Sequence, residues 1–518
     1  MYISAIMLQC LRTIRYPSAP PAAIVSILSR ENSPIHDADR AVANSLVAVG
    51  DEDGGVRLLE SAKDEEPGFS KAYVNFRPHT NAILDLAFSA DDLLLATASG
   101  DQISLVIDMP TQRATYTLAG HGSSVKQVCF QPGNSNVLAT SSRDGTVQIW
   151  DLRCKGFDAP IRAIKVPLEP SANAPDGSLT NNKMNWARPV NTMSEAHRRP
   201  LKEHIAATGL NLPSHYDTPQ NGERPDRWGV VSITALQFLN PGREHLLLTA
   251  SEADASVKLW DLRTTHNQRR GKATPLSSTR PTGAHTKHRH FGVTSLSLSG
   301  DSARLYTVCR DNTVYAYSTS HLVLGHSPEL SGMASKPRRS GGPEKEGLQP
   351  IYGFRHPKFH ASTFYVKSTI RLAKDDKTEI LAVGSSDGCA VVFPTDERYL
   401  ERSKDCRIRP SDPFGWKWPA TIRADKGTGA DFTIRLEDSI PIYQHGSALI
   451  RGHDREVTGM SWTANGELVS VSDDYTVRCW REGTDGKARD LRIGGEKEGR
   501  RWGCGWAEAD EEWDEDDG

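Results

Sequence analysis

The chain has 518 residues, a formal net charge of −3, 37% hydrophobic residues and 42 glycines. This apolar content suffices for a folded core and excludes a chain that is disordered throughout. No apolar run approaches the roughly 20 residues of a transmembrane helix, and the eight cysteines include no Cys-x-x-Cys pair, which argues against a paired-cysteine zinc site and suits a reducing compartment.

Segment 1–34 precedes the repeated part of the chain. Its apolar start lacks the basic segment that opens a signal peptide. Residues 21–28 begin at the second proline of the pair Pro20-Pro21 and predict a short amphipathic helix. We therefore treat 1–34 as a separate N-terminal segment.

One short unit recurs through residues 35–481. In its clearest copy, Asp144 opens a turn, alternating β-branched and polar residues follow, and Trp150 stands six positions later. Seven segments share this offset, and each follows a strand-like run: Asp53 to Leu59, Asp101 to Ile107, Asp144 to Trp150, Asp254 to Trp260, Asp311 to Tyr317, Asp387 to Phe393 and Asp474 to Trp480. The pattern resembles the WD-repeat family, and seven copies imply an all-β fold, a seven-bladed β-propeller.

Two blades contain the residues for a buried hydrogen-bonded set. The third offers His121, Asp144 and Trp150 with a nearby hydroxyl, and the seventh offers His453, Asp474 and Trp480. Such sets satisfy buried polar groups and lock a blade. Because they recur from blade to blade, we interpret them as structural and not as a catalytic triad.

The spacing of the repeats predicts long insertions on a single domain. Successive aspartates are 48, 43, 110, 57, 76 and 87 residues apart, whereas a plain blade takes about 43. The excess predicts surface insertions at about 154–228, 322–358 and 395–444. The length therefore reflects insertions and termini and not three domains.

Charge is unevenly distributed along the chain. Residues 264–290 contain six Lys or Arg and no acid, so weak DNA contact through counterion release is one hypothesis and a solvated loop is the other. The last thirteen residues carry eight acids and no base, which leaves the rest of the chain at +5. We expect 482–518 to be a disordered acidic tail.

The sequence offers no catalytic chemistry. Residues 384–388 match the Gly-x-Ser-x-Gly pattern of hydrolases, but a strand-like run follows them where a nucleophile elbow requires a helix. No phosphate-binding loop, zinc helix or EF-hand loop occurs. We predict no enzyme, no cofactor and no metal.

Two consecutive blades end in a Trp-Asp-x-Arg motif. This pattern resembles the signature of WD-repeat receptors of the cullin-4 ubiquitin ligase. The resemblance implies that the arginine, a planar and permanently charged group, faces the DDB adaptor. The predicted adaptor-binding residues are Trp150, Asp151, Arg153, Trp260, Asp261 and Arg263.

A more specific resemblance extends across all seven blades. The segments 48–58, 362–368 and 452–458 are similar to the denticleless family, and the run Ser-Thr-Phe-Tyr-Val-Lys-Ser at 362–368 weighs most because blade geometry does not require it. The resemblance implies a nuclear, non-catalytic receptor that docks on the DDB adaptor, aided by segment 1–34, and presents PCNA-bound replication proteins such as the licensing factor. A WD-repeat chromatin or histone-binding scaffold is the alternative.

Substrate contacts are predicted on the side opposite the adaptor. In WD propellers the residue before the turn aspartate tends to point outward at one face. By this rule Arg143 and Arg310 would contact an acidic partner element, and Glu52 and Asp473 a basic one. Solvated surface is the other interpretation of these four residues.

Overall fold

A computed structural model describes most of the repeated part of the chain. The described residues are 8–15, 24–28, 45–61, 72–159, 185–194, 196–197, 231–240, 242–264, 274–280, 291–325, 348–373, 377–396, 440–444, 446–450, 452–463, 466–482 and 506–507.

Seven antiparallel units of four strands form the fold, and we number these blades 1 to 7. Within each blade we call the strands a, b, c and d, in the order in which they pair. The strands a to d are Ile24–Leu28, Ser45–Gly50, Val56–Ser61 and Ala72–Phe76 in blade 1; Ile83–Phe88, Leu94–Ser99, Ser104–Asp108 and Arg113–Leu118 in blade 2; Val125–Gln131, Asn134–Ser142, Val147–Asp151 and Pro189–Met193 in blade 3; Ile233–Phe238, Leu246–Ser251, Val257–Asp261 and Ser277–Ser278 in blade 4; Val293–Leu298, Arg304–Cys309, Thr313–Ser318 and Tyr352–Phe354 in blade 5; Ser368–Arg371, Ile380–Val383, Val391–Pro394 and Ser447–Ile450 in blade 6; and Val457–Trp462, Leu468–Ser472, Thr476–Glu482 and Leu8–Arg15 in blade 7.

Short additional elements decorate the blades. Asn185–Trp186 runs parallel to strand d of blade 2, and Ile442–Tyr443 runs parallel to strand d of blade 5. Trp506–Ala507 pairs with the d strands of both blade 6 and blade 7, so it joins these two sheets. A short helix, Thr319–Leu324, follows strand c of blade 5, begins after the side-chain cap Ser318 and ends at Gly325 with φ of 73°.

The blades form a closed ring. The a strands of neighbouring blades pack on one another in sequence, and those of blades 7 and 1 complete the circle. Strand d of blade 7 comes from the start of the described chain, with Leu8 opposite Glu482 and Arg15 opposite Thr476. Blade 7 is therefore assembled from widely separated parts of the sequence.

The core lies between the blades. Within the described ranges, seven clusters of buried apolar side chains are present, each shared by two neighbouring blades. Trp150 lies between blades 2 and 3, Trp260 between 3 and 4, and Trp480 between 6 and 7. Because neighbouring blades cover both faces of each sheet, the b and c strands are largely buried on both sides. The apolar residue six positions after each turn aspartate lies in an interblade layer.

The predicted all-β, seven-bladed propeller is confirmed, but the N-terminal prediction is wrong in one respect. Residues 24–28 form strand a of blade 1, antiparallel to Ser45–Gly50, and not a helix. The run Ile24-Val25-Ser26-Ile27-Leu28 is rich in β-branched residues, and pairing with a partner strand overrides the helix signal of the preceding prolines. Segment 1–34 therefore contributes strands to blades 1 and 7.

Insertion boundaries and the tail also differ from expectation. The predicted insertions 154–228, 322–358 and 395–444 contain Pro189–Met193, Tyr352–Phe354 and Ile442–Tyr443, of which the first two are d strands of the ring. Trp506–Ala507 is a strand within the predicted tail 482–518. Most of these segments, and most of 264–290, lie outside the described residues, so the predictions made for them stay predictions. Within the described ranges, no helix has the length and apolar character to span a membrane.

Candidate binding surfaces

The two ends of strand c define two faces of the propeller. The b–c turns open onto one end, which we call the upper face, and the c–d turns open onto the other, the lower face. Arg143 lies in the b–c turn of blade 3 and Arg153 in its c–d turn, at opposite ends of Val147–Asp151. The predicted substrate residues therefore occupy the upper face and the predicted adaptor residues the lower face.

A buried hydrogen-bond chain locks blade 3. His121 Nδ1 lies 3.2 Å from Asp144 Oδ2, and its Nε2 lies 2.7 Å from the Thr140 hydroxyl. Trp150 Nε1 donates to the same hydroxyl at 2.9 Å. These hydrogen bonds connect strand c to strand b and to the loop before strand a, which carries His121. The Asp144 carboxylate in the b–c turn holds the same loop.

Blade 7 carries an equivalent chain. His453 Nδ1 lies 3.1 Å from Asp474 Oδ2, its Nε2 lies 2.8 Å from Ser470 Oγ, and Trp480 Nε1 donates to Ser470 Oγ at 2.9 Å. Burial lowers the pKa of His453, which favours the neutral ring. Every member is then satisfied, because the Ser470 hydroxyl donates to Nε2 while Nδ1–H donates to Asp474.

We call each of these hydrogen-bonded sets a lock, and the aspartates of both locks, Asp144 and Asp474, remain charged although they are partly buried. Burial alone would raise the pKa of Asp144, but hydrogen bonds from His121, Thr146 and the Gly122 backbone hold it well below its ordinary value. Asp474 behaves in the same way through hydrogen bonds from the seventh blade's histidine and threonine. These carboxylates therefore serve the turns and are not poised for acid–base chemistry near neutral pH.

Two further histidines occupy lock positions that the sequence analysis missed. His79 lies 2.8 Å from Asp101 and 2.6 Å from Thr97 in blade 2. His197 Nε2 lies 2.9 Å from the Thr249 hydroxyl, and its ring faces the turn aspartate of blade 4 at 3.4 Å. The spacing from His79 to its aspartate nearly equals that in blades 3 and 7, so this signal was available. A long insertion between His197 and its aspartate removes the same signal from blade 4.

The first blade uses a different aspartate. Asp53 was predicted to cap the turn, but its side chain is exposed. Asp51 is buried instead, and its Oδ1 accepts the Gly55 N–H at 2.5 Å. Gly54 has φ of 88°, which permits this wide turn. The six-residue offset thus locates the blade but not its capping side chain.

Removing the central hydroxyl of the blade 3 lock should destabilise the protein. Thr140→Val keeps the side-chain shape but leaves Trp150 Nε1–H and a ring nitrogen of His121 without partners in the core. At about 1–3 kcal/mol for each buried orphan group, we expect the free energy of unfolding to fall by about 2–4 kcal/mol. Urea denaturation measures this change, and Thr192→Val, at an exposed position of strand d in the same blade, is the matched control. Equal midpoints for the two variants would contradict the role of the lock.

The lower face presents two arginine forks of the same geometry. Arg153 Nε and Nη2 donate to the two carboxylate oxygens of Asp151 at 2.9 and 2.7 Å. Arg263 makes the same pair of bonds to Asp261 at 3.0 and 2.9 Å. Both guanidinium-bearing side chains remain exposed, at 61% and 65%. Two neighbouring blades therefore display the same planar cation at the same turn.

The backbone holds the two forks in one conformation. In each turn the arginine N–H donates to its aspartate Oδ1 at 3.0 Å. The N–H of the leucine before each arginine donates to Asn136 O in strand b of blade 3 and to His245 O just before strand b of blade 4, so each c–d turn is fastened to the start of strand b in its own blade. Gln131 Nε2 donates to Glu244 O at 2.9 Å, which links blades 3 and 4 on this face. The forks are thus preorganised relative to each other.

Electrostatics favour the same arrangement. The hydrogen bond from each fork arginine lowers the pKa of the aspartate that it contacts. Trp150 and Trp260 are buried beneath the turns and carry no exposed surface for a partner. Of the predicted adaptor-binding residues, the two tryptophans can therefore only support the turns, and the exposed side chains are those of Arg153 and Arg263. The last blade differs, because Arg481 pairs with Glu467, the residue just before strand b.

The upper face opens into a cavity near the propeller axis. The cavity has a volume of about 200 Å³, and a second one of about 480 Å³ adjoins it and shares Glu252, Arg310 and Phe364 among its lining residues. Arg310 stacks on Phe364, with Cζ 4.5 Å from the ring centre, and Lys126 Nζ lies 5.2 Å from the centre of the Tyr365 ring. The run 362–368 that marked the family resemblance therefore forms a wall of this cavity.

Two half-buried groups of opposite charge, Lys367 in the cavity wall and Asp85, interact electrostatically here. Lys367 Nζ donates to Thr294 O at 3.2 Å and to Thr234 O at 3.4 Å. Burial lowers the pKa of Lys367, and Asp85 opposes this effect. Burial raises the pKa of Asp85 to about 7, even though it accepts the Val128 N–H at 2.9 Å. Sequence reasoning missed Asp85 because its surroundings come from other blades.

Acidic residues occupy another part of the upper face. Burial raises the pKa of Asp473 to about 6, with further contributions from Glu456 and Glu52. Glu456 Oε1 accepts the Ser386 hydroxyl at 3.0 Å, and the Asp473 N–H donates to Glu456 O at 3.2 Å. The structure thus brings the predicted residues Glu52 and Asp473 together and adds Glu456.

The predicted basic residues lie around Lys126. Arg143 is exposed and close enough to lower the pKa of Lys126, after the larger effect of burial. Arg310 lines both cavities and donates through Nη2 to Ser362 O at 2.5 Å. The upper face is therefore divided into a basic part and an acidic part. Within the described part of the chain, no cluster of three or more His, Cys, Asp or Glu is placed to hold a metal ion.

Comparison with known families identifies the repeat. The model for the WD domain, G-beta repeat, matches residues 70–107, 112–151, 280–318 and 446–481. Each matched segment ends in strand c of a blade, and the four segments fall on blades 2, 3, 5 and 7 in turn. The matched copies include the locks of blades 3 and 7.

Curated relatives are similar over most of the chain. Cell division cycle protein cdt2 of Schizosaccharomyces pombe is 27% identical over 461 residues, which cover 86% of this chain and 69% of that protein. Denticleless protein homolog of Homo sapiens and of Mus musculus are each 26% identical over 84% of this chain. The aligned region spans 44% of the length of these two mammalian proteins.

Proposed function

We propose that this chain, a WD-repeat protein of the denticleless family, is the substrate-recognition subunit of a cullin-4 RING ubiquitin ligase. The chain itself performs no chemistry in this role. It brings a substrate near the ligase and raises the local concentration of acceptor lysines. The observation that carries the proposal is the pair of identical arginine forks on blades 3 and 4.

The forks suit docking on a protein partner. A guanidinium held by the carboxylate two residues before it keeps its plane fixed, so less side-chain entropy is lost when a partner binds. Arg153 and Arg263 share one backbone geometry on neighbouring blades, and a rigid partner can engage both at once. We assign the DDB adaptor to this lower face, in line with the similarity to the denticleless proteins.

The upper face would hold the substrate. Arg143 and Arg310 face an acidic element of the partner, while Glu52 and Asp473 face a basic one. Substrates of this receptor would be nuclear, PCNA-bound replication proteins, the licensing factor among them. Docking below and substrate capture above leave the two partners free of steric conflict.

Co-purification tests this function. The intact tagged chain, isolated from dividing cells, is expected to bring down the DDB adaptor and cullin-4 in comparable amounts. Purified histones are expected not to bind it at 150 mM salt. Absence of the adaptor together with tight histone binding would overturn the proposal in favour of a chromatin scaffold.

The acidic part of the upper face predicts a pH dependence. Burial and the nearby carboxylates Glu456 and Glu52 raise the pKa of Asp473 to about 6, while Arg455 opposes the shift. Below this pH the carboxyl is protonated and attracts a cation less. The affinity for a basic peptide such as Gly-Ala-Lys-Arg-Ala-Gly should therefore rise about threefold to fivefold between pH 5 and 7.5, equivalent to about 1 kcal/mol.

A variant isolates this titration. Asp473→Asn should bind the basic peptide more weakly at pH 7.5 and should show a flatter pH profile, because the titrating group is gone. Fluorescence anisotropy at both pH values measures the effect. The assignment of Asp473 to a basic partner element fails if the variant and the wild type bind this peptide equally at pH 7.5.

A further inference from the structure

We propose that the upper-face cavity binds one oxyanion, a phosphomonoester or carboxylate carried on a side chain of an extended peptide. This proposal rests on the proposed function, since the upper face is where that function places the substrate. The groups that carry it are Lys126, Ser232, Arg310 and Lys367, all of which line the cavity.

Two hydrogen-bond donors in the cavity wall have no acceptor among the described residues. Ser232 is 2% exposed, and its hydroxyl has no hydrogen-bond partner within the described residues. Arg310 Nε is likewise buried without a partner among them. Buried polar groups are normally satisfied, and each one left unsatisfied costs free energy. Both groups can donate a hydrogen bond, so a ligand that accepts hydrogen bonds would satisfy them.

Positive charge exceeds negative charge around the same volume. Three cations, Lys126, Arg310 and Lys367, line the cavity with the carboxylate of Glu252, whose Oε1 accepts the Ser232 N–H at 3.4 Å. Asp85 interacts with Lys367 from outside the lining, so the cations still outnumber the carboxylates. Burial lowers the pKa of both lysines, which means that they lack full compensation for their lost hydration. An entering anion would supply that compensation and favour their charged forms.

The size of the cavity indicates a side chain and not a free small molecule. Its volume of about 200 Å³ is below the roughly 300–1,000 Å³ of sites that bury a drug-sized ligand. The adjoining volume of about 480 Å³ shares Arg310 and Phe364 with it and continues along the upper face. The first cavity would take the anionic group, and the second would accommodate the residues that flank it.

Direct binding of peptides tests the proposal. The full chain is titrated into fluorescent Gly-Ala-X-Ala-Gly-Tyr peptides in which X is phosphoserine, glutamate or serine, at pH 7 and low salt. We expect the phosphoserine or glutamate peptide to bind at least tenfold more tightly than the serine peptide. A preference for phosphoserine identifies a phosphomonoester site, and equal affinity for the two anions identifies a general oxyanion site. Equal affinity for all three peptides would overturn the proposal.

Variants locate the binding to this cavity. Arg310→Ala should weaken binding of the favoured anionic peptide at least tenfold, and Ser232→Ala about threefold. Lys126→Met, which keeps side-chain volume, guards against a folding defect in the arginine variant. The exposed Arg113→Ala on strand d of blade 2 is the matched control with a lost cation elsewhere. Unchanged binding in both Arg310→Ala and Lys126→Met would overturn the assignment to this cavity.

Failure of the cavity proposal can be distinguished from failure of the proposed receptor function. Adaptor co-purification is measured in parallel on the wild-type chain. A chain that recovers the adaptor but shows no anion preference rejects only the cavity proposal. A chain that prefers the anionic peptide but recovers no adaptor rejects only the receptor function.

Discussion

Replacing both Arg153 and Arg263 with alanine is expected to weaken adaptor binding by at least about 100-fold. Hydrogen bonds to charged groups contribute about 1.5–3 kcal/mol each, and each factor of ten in affinity corresponds to about 1.4 kcal/mol. Loss of the two preorganised arginine forks should therefore lower the adaptor affinity by more than two factors of ten. Surface plasmon resonance with the purified DDB adaptor at 150 mM salt measures the change.

Control variants distinguish the effect of the fork geometry from the effect of the positive charge alone. Lys155→Ala removes an 86% exposed cation from the same face and should change the adaptor affinity less than threefold. The double Arg→Lys variant retains both charges but loses the planar geometry, so it should bind at least tenfold more weakly than the wild type. Because both arginine side chains are more than half exposed, the double alanine variant should unfold at nearly the wild-type temperature. Adaptor binding by that variant at wild-type strength would contradict the docking assignment.

Deletion of residues 1–15 is expected to destabilise the closed ring. Strand d of blade 7, Leu8–Arg15, pairs with Thr476–Glu482 in seven register positions. Roughly four to six backbone hydrogen bonds would be lost at a net value of about 0.5–1.5 kcal/mol each, so we expect the free energy of unfolding to fall by about 3–6 kcal/mol. Strand c of blade 7 would also become an exposed edge, which promotes association between chains.

Scanning calorimetry and light scattering measure both effects. The deletion should lower the unfolding temperature by several degrees and increase aggregation on heating. Deletion of residues 508–518 removes a similar length and no described strand, so it is the matched control. If the two deletions leave the unfolding temperature equally unchanged, strand d of blade 7 does not close the ring as described.

The repeat signal in the sequence was local, and it predicted what is local in the fold. The offset from Asp144 to Trp150 reflects one turn and one strand, and the same offset located all seven blades. The paired Trp-Asp-x-Arg motifs also lie within single turns, so their common geometry could be anticipated. Asp53 shows the limit, because an alternative carboxylate, that of Asp51, caps the same turn.

Long-range pairing could not be predicted in this way. Leu8–Arg15 completes a blade whose other strands begin at Val457, and no local pattern encodes that partner. Pro189–Met193 follows an insertion that separates it from strand c of blade 3, so it was assigned to the loop. His197 was missed for the same reason, although it occupies the same place in its lock as His121.

The upper cavity shows a further limit of sequence reasoning. Its wall draws Lys126, Ser232, Arg310 and Lys367 from separate blades, and nothing in the chain order brings them together. Arg310 was selected by its position before a turn aspartate. Ser232 and Lys126 carry no such marker, and only the closed ring makes them neighbours.

The half-life of the replication-licensing factor after the onset of DNA synthesis is a direct test of the proposed receptor function. It is measured in cells that lack this chain and in the same cells supplied with the wild-type chain. We expect at least a threefold longer half-life without the chain, and restoration by the wild type but not by the Arg153→Ala and Arg263→Ala double variant. An unchanged half-life in cells that lack the chain would contradict it.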